Sequence, residues 1–186
     1  MKMSRQVMMA VMAVCWAVVA FGGTPPLETN RVETLRLFAE NVYGVRPEFK
    51  FECKAEVVKT EKAAELKATR KDVRINTMTP LGLRTFTAVV FLPERTDGAK
   101  APCFVYVSFE RPDDLLAGDA ARDIQPWHWP VREILARGFA TVAFDYQEAF
   151  PDRTEEVAAW GRSSERAPNG WGAISAWALA ASRVMD

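Results

Sequence analysis

The spacing of hydrophobic positions changes near residue 100 and separates a region of alternating patterns from a region of continuous apolar runs. Residues 66–78, in their later part, and residues 84–92 alternate between hydrophobic and polar side chains, which predicts strands with one apolar and one polar face. Between them lies Thr79-Pro80-Leu81-Gly82, with proline second and glycine last, an order typical of a β-turn. The pattern predicts an antiparallel hairpin, preceded by another strand over residues 51–58.

Two later apolar runs predict a different kind of strand. Residues 103–109 and 139–144 are almost continuously apolar, which favours strands buried on both faces. Pro130 can open a helix between them, and Gly138 can end it. Strand, helix and strand in this order predict parallel strands joined by a right-handed crossover. The hairpin would then form the antiparallel edge of a mixed sheet.

Helices are predicted near both ends of this sheet region. Asn30 and Glu33 have the spacing of a capping box, and Gly44 follows as an end signal. The apolar face of this first helix would comprise Val32, Leu35, Leu37, Phe38 and Val42. Residues 171–186 are mostly apolar and predict a buried helix with no stop signal.

Two long stretches, residues 110–129 and 147–170, are predicted to be irregular. Each follows the carboxyl end of a predicted buried strand, which is the edge where open α/β sheets bind ligands. Long loops in compact domains are usually functional or disordered. These two stretches are therefore the expected location of a binding site.

The first 22 residues have the pattern of a signal peptide. Lys2 and Arg5 precede an uncharged apolar run over residues 7–21, and Ala20-Phe21-Gly22 offers small residues at a cleavage site. The run is shorter than the ~20 residues that a membrane span requires. Cys15 would suit lipid attachment, but the bulky Val14 precedes it. We expect residues 23–186 to be exported, secreted or periplasmic, without a stable membrane anchor after cleavage.

Charge and cysteine content exclude some functions. The chain has 24 basic and 24 acidic residues, and loss of the signal peptide removes two basic ones, so no basic footprint for nucleic acid is expected. Cys53 and Cys103 are too far apart for a CxxC motif. Export permits a disulfide between them, but two buried free thiols is our interpretation. Nothing indicates a cofactor.

Two serines deserve consideration as nucleophiles. Ser163 lies in a Gly-x-Ser-x sequence that ends in Glu165 instead of glycine, and no convincing strand precedes it. The nucleophile elbow needs a strand, a sharp turn and a helix, so Ser163 fails the structural test of its motif. Ser182 lies within the predicted last helix, where its hydroxyl is expected to bond a backbone carbonyl.

His128 is the single histidine, flanked by Trp127 and Trp129. These three residues are candidates to line a cleft, because tryptophan stacks well on sugars and offers an N–H donor. One histidine among scattered acids supports no zinc site. The adjacent acids Asp113-Asp114 and Glu155-Glu156 are interpreted as solvated charge, although paired acids could serve a glycosidase.

Several segments together have the order found in a known family. They are Tyr43-Gly44 with Arg46-Pro47, Trp129-Pro130-Val131, residues 134–141, Phe144-Asp145-Tyr146 and, most specifically, residues 171–186. These segments resemble bacterial glucuronoyl esterases, often labelled acetylxylan esterase-like, of the α/β-hydrolases. The resemblance extends from about residue 30 to the end and covers less than half of that family's domain. The resemblance implies the N-terminal part of an α/β-hydrolase, with a mixed sheet of antiparallel N-terminal strands followed by a βαβ unit.

The resemblance also implies a serine esterase acting on polysaccharide or oligosaccharide esters, glucuronoyl or acetyl. In the family a Gly-x-Ser-Arg-x-Gly-Lys turn, an acid and a histidine catalyse the reaction; these would lie beyond Asp186, so no catalytic residue is expected in this chain. Phe109 and Glu110 are the nearest candidates to line the oxyanion side. Here Glu110-Arg111-Pro112 stands where the family often has Gly-Asn.

Three functions follow from these observations. The first is an inactive N-terminal fragment of an exported carbohydrate esterase, whose missing strands would leave apolar surface exposed and solubility poor. That surface would include Trp171, Ile174, Ala178 and Met185. The second is a non-catalytic module that binds carbohydrate or docks a partner. The third is an unrelated hydrolase that uses Ser163.

Overall fold

The computed structural model describes residues 30–80, 82–95, 97–122, 128–153 and 169–186. The chain divides into two compact units, Met1–Phe38 and Ala39–Asp186. The predicted signal peptide lies outside the described residues. In the part of the chain that is described, no helix combines the length and the apolar character needed to cross a bilayer.

Helix α1, Arg31–Phe38, is the described element of the first unit. Its start is marked by a hydrogen bond from the Thr34 N–H to the Asn30 carbonyl. Glu33 pairs with Arg36 on the next turn, at 2.6 Å. No residue of α1 is buried, so the predicted apolar face does not lie in a core.

Three antiparallel strands begin the second unit, after a π-helical turn over Ala39–Tyr43. They are β1 (Cys53–Ala63), β2 (Ala68–Thr79) and β3 (Gly82–Pro93). The predicted hairpin is confirmed, and Thr79 pairs with Gly82 at its turn. Strand β1 continues past Val58 through a polar sequence, because its cross-strand partners on β2 supply opposite charges, such as Asp72 opposite Lys59 and Arg70 opposite Glu61.

The predicted parallel unit is also confirmed. Strands β4 (Cys103–Ser108) and β5 (Ala140–Asp145) pair in parallel, with Cys103 opposite Ala140. Among the described residues the sheet has the order β1-β2-β3-β5-β4, and β3 joins β5 antiparallel. Helices α2 (Pro112–Arg122) and α3 (Val131–Ala136) lie between the parallel strands in the chain.

Helix α2 corrects the expectation that residues 110–129 are irregular. Pro112 occupies its first position, and Asp113 and Asp114 fall in its first turn. Proline at this position loses no helical hydrogen bond, and acidic side chains favour the positive end of the helix dipole. The Leu115 side chain packs α2 against the sheet, and 9% of the surface of this residue is exposed.

Helices cover both faces of the sheet, as the buried side chains show. One cluster joins β2, β3 and β5 to helices α4 (Tyr146–Ala149) and α5 (Ala173–Met185), with Phe86, Phe144 and Leu179 at its centre. The opposite cluster joins the sheet to α2 and α3 through Phe91, Leu115 and Leu135. The result is the α/β architecture expected from the sequence.

The turn around Gly44 anchors α5. The Tyr43 carbonyl accepts hydrogen bonds from the Gly172 N–H at 3.1 Å and from the Ser175 hydroxyl at 2.8 Å. Gly44 has φ +87°, and a Cβ there would run into the backbone carbonyl of Gly170. Glycine is therefore required for the two backbones to approach this closely.

Candidate functional site at the carboxyl edge of β4 and β5

The carboxyl ends of the parallel strands meet at one edge of the sheet. Ser108 ends β4 directly opposite Asp145, which ends β5. Phe109 and Tyr146 are the residues that follow, so the parallel register brings these two aromatic side chains together. Open α/β sheets bind ligands at this edge.

Three aromatic side chains form a continuous row here, which we call the aromatic row: Phe109, Tyr146 and Trp177. The rings of Phe109 and Tyr146 meet edge to face, with centroids 5.3 Å apart, and those of Tyr146 and Trp177 lie 4.5 Å apart. The Trp177 indole donates to the Phe150 carbonyl at 2.9 Å, which fixes the inner end of the row. Phe109 at the outer end is 69% exposed.

Polar groups around the row hold the backbone in place. The Ser108 hydroxyl oxygen accepts a hydrogen bond from the Glu110 N–H at 3.2 Å. The Asp145 carboxylate accepts from the Gln147 N–H at 2.8 Å and so caps α4. The Gln147 amide in turn donates to the Tyr146 hydroxyl at 2.6 Å. These bonds preorganise the row but offer no activated nucleophile.

A cleft of about 340 Å³ lies beside the inner end of the row. Trp177 lines it together with the start of α5 and the π-helical turn. Its polar lining includes Asp152 and Ser175, whose hydroxyl donates to the Tyr43 carbonyl. The lining mixes apolar and polar side chains, and the cleft is open to solvent.

The structure places the sequence-derived oxyanion candidates at this edge. Phe109 is part of the row, and Glu110 is exposed beside it. The Glu110 N–H already donates to Ser108, so this amide points to a neighbouring side chain in the described structure. An oxyanion-side role for the two residues stays a prediction.

The three cleft candidates occupy different environments. Trp127 lies outside the described residues, and His128 is exposed. Trp129 is 1% exposed, and its indole N–H donates to the Thr141 hydroxyl at 2.8 Å. Its ring stacks against Tyr106 in the cluster under α3. Trp129 therefore contributes to packing, and its cleft role stays a prediction.

Among the remaining candidates, two of the described residues each contact an arginine side chain. Ser163 and Glu155-Glu156 lie outside the described residues. Asp113 pairs with Arg70 at 2.8 Å, and the Ser182 hydroxyl accepts from Arg183 at 3.2 Å. Within the described ranges no group of histidine, cysteine and acidic side chains is arranged to hold a metal ion.

Both described cysteines are free, as the interpretation of their pattern expected. Cys53 is half-buried on β1, whereas Cys103 is exposed at the start of β4, contrary to the expected burial. Partial desolvation by neighbouring atoms raises the pKa of each thiol above its usual value, even though the Cys103 side chain still reaches solvent. This shift disfavours the nucleophilic thiolate.

Sequence reasoning missed Tyr146 and Trp177 as site residues. Trp177 falls within the predicted buried helix over residues 171–186, and Tyr146 is named only in a segment that carries the family resemblance. The available signal was that Phe109 and Tyr146 each follow directly after a buried strand. Parallel pairing brings these two residues into contact although they are 37 positions apart in the chain, which spacing in the sequence does not reveal.

Comparison with solved structures gives this fold a context. The chain is similar to a glucuronoyl esterase from Solibacter usitatus, with 28% sequence identity, a TM-score of 0.63, and coverage of 84% of this chain and 46% of that chain. A promiscuous CE15 esterase from a marine bacterial metagenome gives 21% identity, the same TM-score and the same coverages. A CE15 glucuronoyl esterase from Teredinibacter turnerae T7901 gives 21% identity, TM-score 0.63, and coverage of 85% and 41%.

These matches confirm the resemblance inferred from the sequence, and they confirm the α/β fold class. The chain spans less than half the length of the esterases that it matches. No family model matches the chain, and no curated protein sequence matches it.

Proposed function

We propose that this chain is the amino-terminal portion of an exported carbohydrate esterase that cleaves glucuronoyl or acetyl esters on plant cell-wall xylan. The observation that carries the proposal is the match of 84% of this chain to only 46% of a glucuronoyl esterase. The carbohydrate-esterase-like fold is common to both chains. The substrate, the export and the absence of a complete catalytic set are the proposed parts.

The hydrogen bonds of the described polar side chains support a structural role for this portion, in which it shapes a site but does not itself cleave a bond. The Ser108 hydroxyl oxygen is bonded to the Glu110 amide, and the Asp145 carboxylate caps α4. Neither group is paired with a histidine in the described structure, and His128 is exposed elsewhere. A serine nucleophile needs an adjacent base to be activated. The proposed portion would contribute the aromatic row to one wall of the site.

The direct test is to sequence the gene through and beyond the codon for Asp186. An open frame that continues into a Gly-x-Ser-Arg-x-Gly turn would support the esterase portion. A verified stop codon directly after Asp186 would count against a complete esterase in one polypeptide.

A parallel assay tests activity of the chain as it stands. The purified chain should neither hydrolyse methyl glucuronate or 4-nitrophenyl acetate nor react with a serine-directed fluorophosphonate. Turnover that Ser163→Ala abolishes would instead establish the unrelated hydrolase. Turnover unchanged in that variant would require another nucleophile in the chain.

A non-catalytic carbohydrate-binding module is the second candidate, and the exposure of Phe109 favours it. An exposed ring held edge to face by Tyr146 offers a fixed apolar surface on which a sugar could stack. Calorimetric titration of the folded chain with xylo-oligosaccharides separates the two candidates. Saturable heat that Phe109→Ala removes supports the module, and no heat from folded chain counts against it.

A further inference from the structure

An arginine lies on the face of the sheet that α2 and α3 cover. Arg70 on β2 is directly opposite Phe91 on β3, and Phe91 belongs to the apolar cluster on that face. Directly paired residues of antiparallel strands project to the same side of a sheet. Only 14% of the Arg70 side chain is exposed, and a charge with so little access to water requires partners.

Three carboxylates surround the Arg70 guanidinium. Asp72 accepts from Nε at 2.7 Å and from Nη2 at 3.2 Å, which makes a bidentate pair within β2. Glu61 on β1 lies 3.6 Å from Nε, and Asp113 on α2 lies 2.8 Å from Nη2. The Asp72 side chain is itself only 16% exposed. Because a bidentate pair fixes the plane of the guanidinium, Nη2 is presented to α2 from a rigid strand.

Asp113 is the partner that joins the sheet to a helix. Helix α2 follows β4 in the chain, whereas β5 and β3 lie between β4 and β2 in the sheet. The pair of Arg70 with Asp113 therefore ties the first turn of α2 to a strand that is distant from the one leading into it. Pro112 and Leu115 of the same turn are buried, so apolar packing accompanies the ion pair.

The short segment between β4 and α2 is held at both ends. At one end, Ser108 pairs with Asp145 in the parallel ladder. At the other end, the Arg111 carbonyl accepts from the Leu115 N–H at 3.0 Å in the first turn of α2. The connecting segment is Phe109–Arg111, and three residues span at most about 10 Å. A displacement of the first turn of α2 must therefore move this segment.

Phe109 is the residue on which such a displacement would act most directly. Its side chain is 69% exposed, and its described ring contact is the one with Tyr146, at 5.3 Å between centroids. A side chain with so little packing follows its own backbone. Where α2 begins therefore determines where the outer end of the aromatic row lies.

We propose that Arg70 is a positioning residue of the candidate site: through its ion pair with Asp113 it holds the Phe109–Arg111 segment so that the Phe109 ring contacts Tyr146. Arg70 acts through α2 and not by contact with a ligand. The inference rests on the proposed function, in which the aromatic row forms one wall of the site. The alternative is that apolar packing alone sets the start of α2.

The test follows Tyr146 by fluorine NMR of the full chain labelled with 3-fluorotyrosine. The sequence contains three tyrosines, so three resonances are expected, and Tyr146→Phe identifies the one from Tyr146. Phe109→Ala gives the position of that resonance when the neighbouring ring is absent. We expect Asp113→Ala to move the resonance toward that position, because the ratio of held to displaced segment should fall about two- to fivefold on loss of a partly exposed ion pair.

Asp114→Ala is the matched control. Asp114 lies in the same first turn and carries the same charge, so its removal has a similar effect on the helix dipole. Within the described ranges its carboxylate forms no ion pair, and the residue is exposed. The Tyr146 resonance should stay at its parent position in this variant. The resonance of Tyr43, on the π-helical turn, should stay in place in both variants.

A second variant changes the other partner. Arg70→Lys keeps the positive charge but replaces the planar fork by a single ammonium, so it should move the Tyr146 resonance in the same direction as Asp113→Ala. Asp113 is 52% exposed, so Asp113→Ala is expected to fold and stays informative if the Arg70 variant does not.

The outcomes are distinct. A Tyr146 resonance that is unmoved in Phe109→Ala or in Asp113→Ala, or that shifts equally in Asp113→Ala and Asp114→Ala, would overturn the positioning role. A verified stop codon after Asp186 would count against the esterase function and would leave these shifts unchanged. Failure of the proposed function and failure of the positioning role are therefore observed separately.

Discussion

Trp129 illustrates how little the sequence neighbourhood of one residue says about its surroundings. Its place between His128 and Pro130 makes it a cleft candidate, which stays a prediction, and the structure adds that its indole lies under α3 and donates to the Thr141 hydroxyl. The sequence contains the reason only indirectly, because Thr141 lies on the same face of β5 as Ala143, and that face packs in the cluster that contains Trp129. Phe109 shows the opposite case, since its position directly after a buried strand places it at the carboxyl end of β4, where the structure has it.

Replacing Trp129 by phenylalanine tests this packing role. Trp129→Phe keeps a ring beside Tyr106 but removes the hydrogen bond to the Thr141 hydroxyl, which is 0% exposed at the residue level. We expect the free energy of unfolding to fall by about 1–3 kcal/mol, from the lost bond and the unfilled volume. Urea denaturation followed by circular dichroism measures it. Leu83→Ala, at a site 61% exposed, is the control and should change stability by no more than about 0.5 kcal/mol.

At the scale of elements, the periodicity of apolar residues predicted those strands and helices whose formation depends on the local sequence. The β2–β3 hairpin followed from alternation and its turn, and the β4–β5 unit from two apolar runs around a helix. Strand β1 extends beyond its predicted end because β2 pairs with it as far as Ala68 opposite Ala63. Helix α2 was missed although Pro112 and two acids marked its start. The aromatic row required the parallel register, a tertiary property.

The anchoring of α5 through Gly44 gives a prediction at this scale. Gly44→Ala would place a Cβ against the Gly170 carbonyl at a positive φ, so the turn and the start of α5 must separate. We expect a loss of more than about 2 kcal/mol, with earlier proteolysis of α5 than of the sheet. Gly98→Ala is the matched control, because Gly98 has φ +66° but open space around its Cβ position. Its cost should be limited to about 1–2 kcal/mol of backbone strain. Equal losses in both variants would show that the close approach at Gly44 contributes nothing.

At the scale of the whole molecule, the two edge strands of the described sheet differ in charge. Strand β1 carries alternating charged residues, whereas β4 carries none. Charged residues hinder association at an edge strand, so we expect association to occur at β4. Exposed apolar side chains cluster on the elements next to β4, including Phe104, Phe109, Ile174 and Met185. With 24 basic and 24 acidic residues in the full sequence, electrostatic repulsion between copies is weak near neutral pH. We therefore expect the chain alone to self-associate at micromolar concentration, as proteins with exposed apolar patches generally do.

Analytical ultracentrifugation of the parent chain and of the double variant Ile174→Lys/Met185→Lys measures this self-association. The double variant should shift the distribution toward monomer, because its two charges lie at exposed positions of α5. The control Val57→Lys/Leu83→Lys adds the same charge at exposed sites on β1 and β3 and should leave most of the association in place. A monomeric parent chain that melts cooperatively would contradict the prediction, since it would show that the exposed apolar side chains on β4 and α5 are stable in water without a partner.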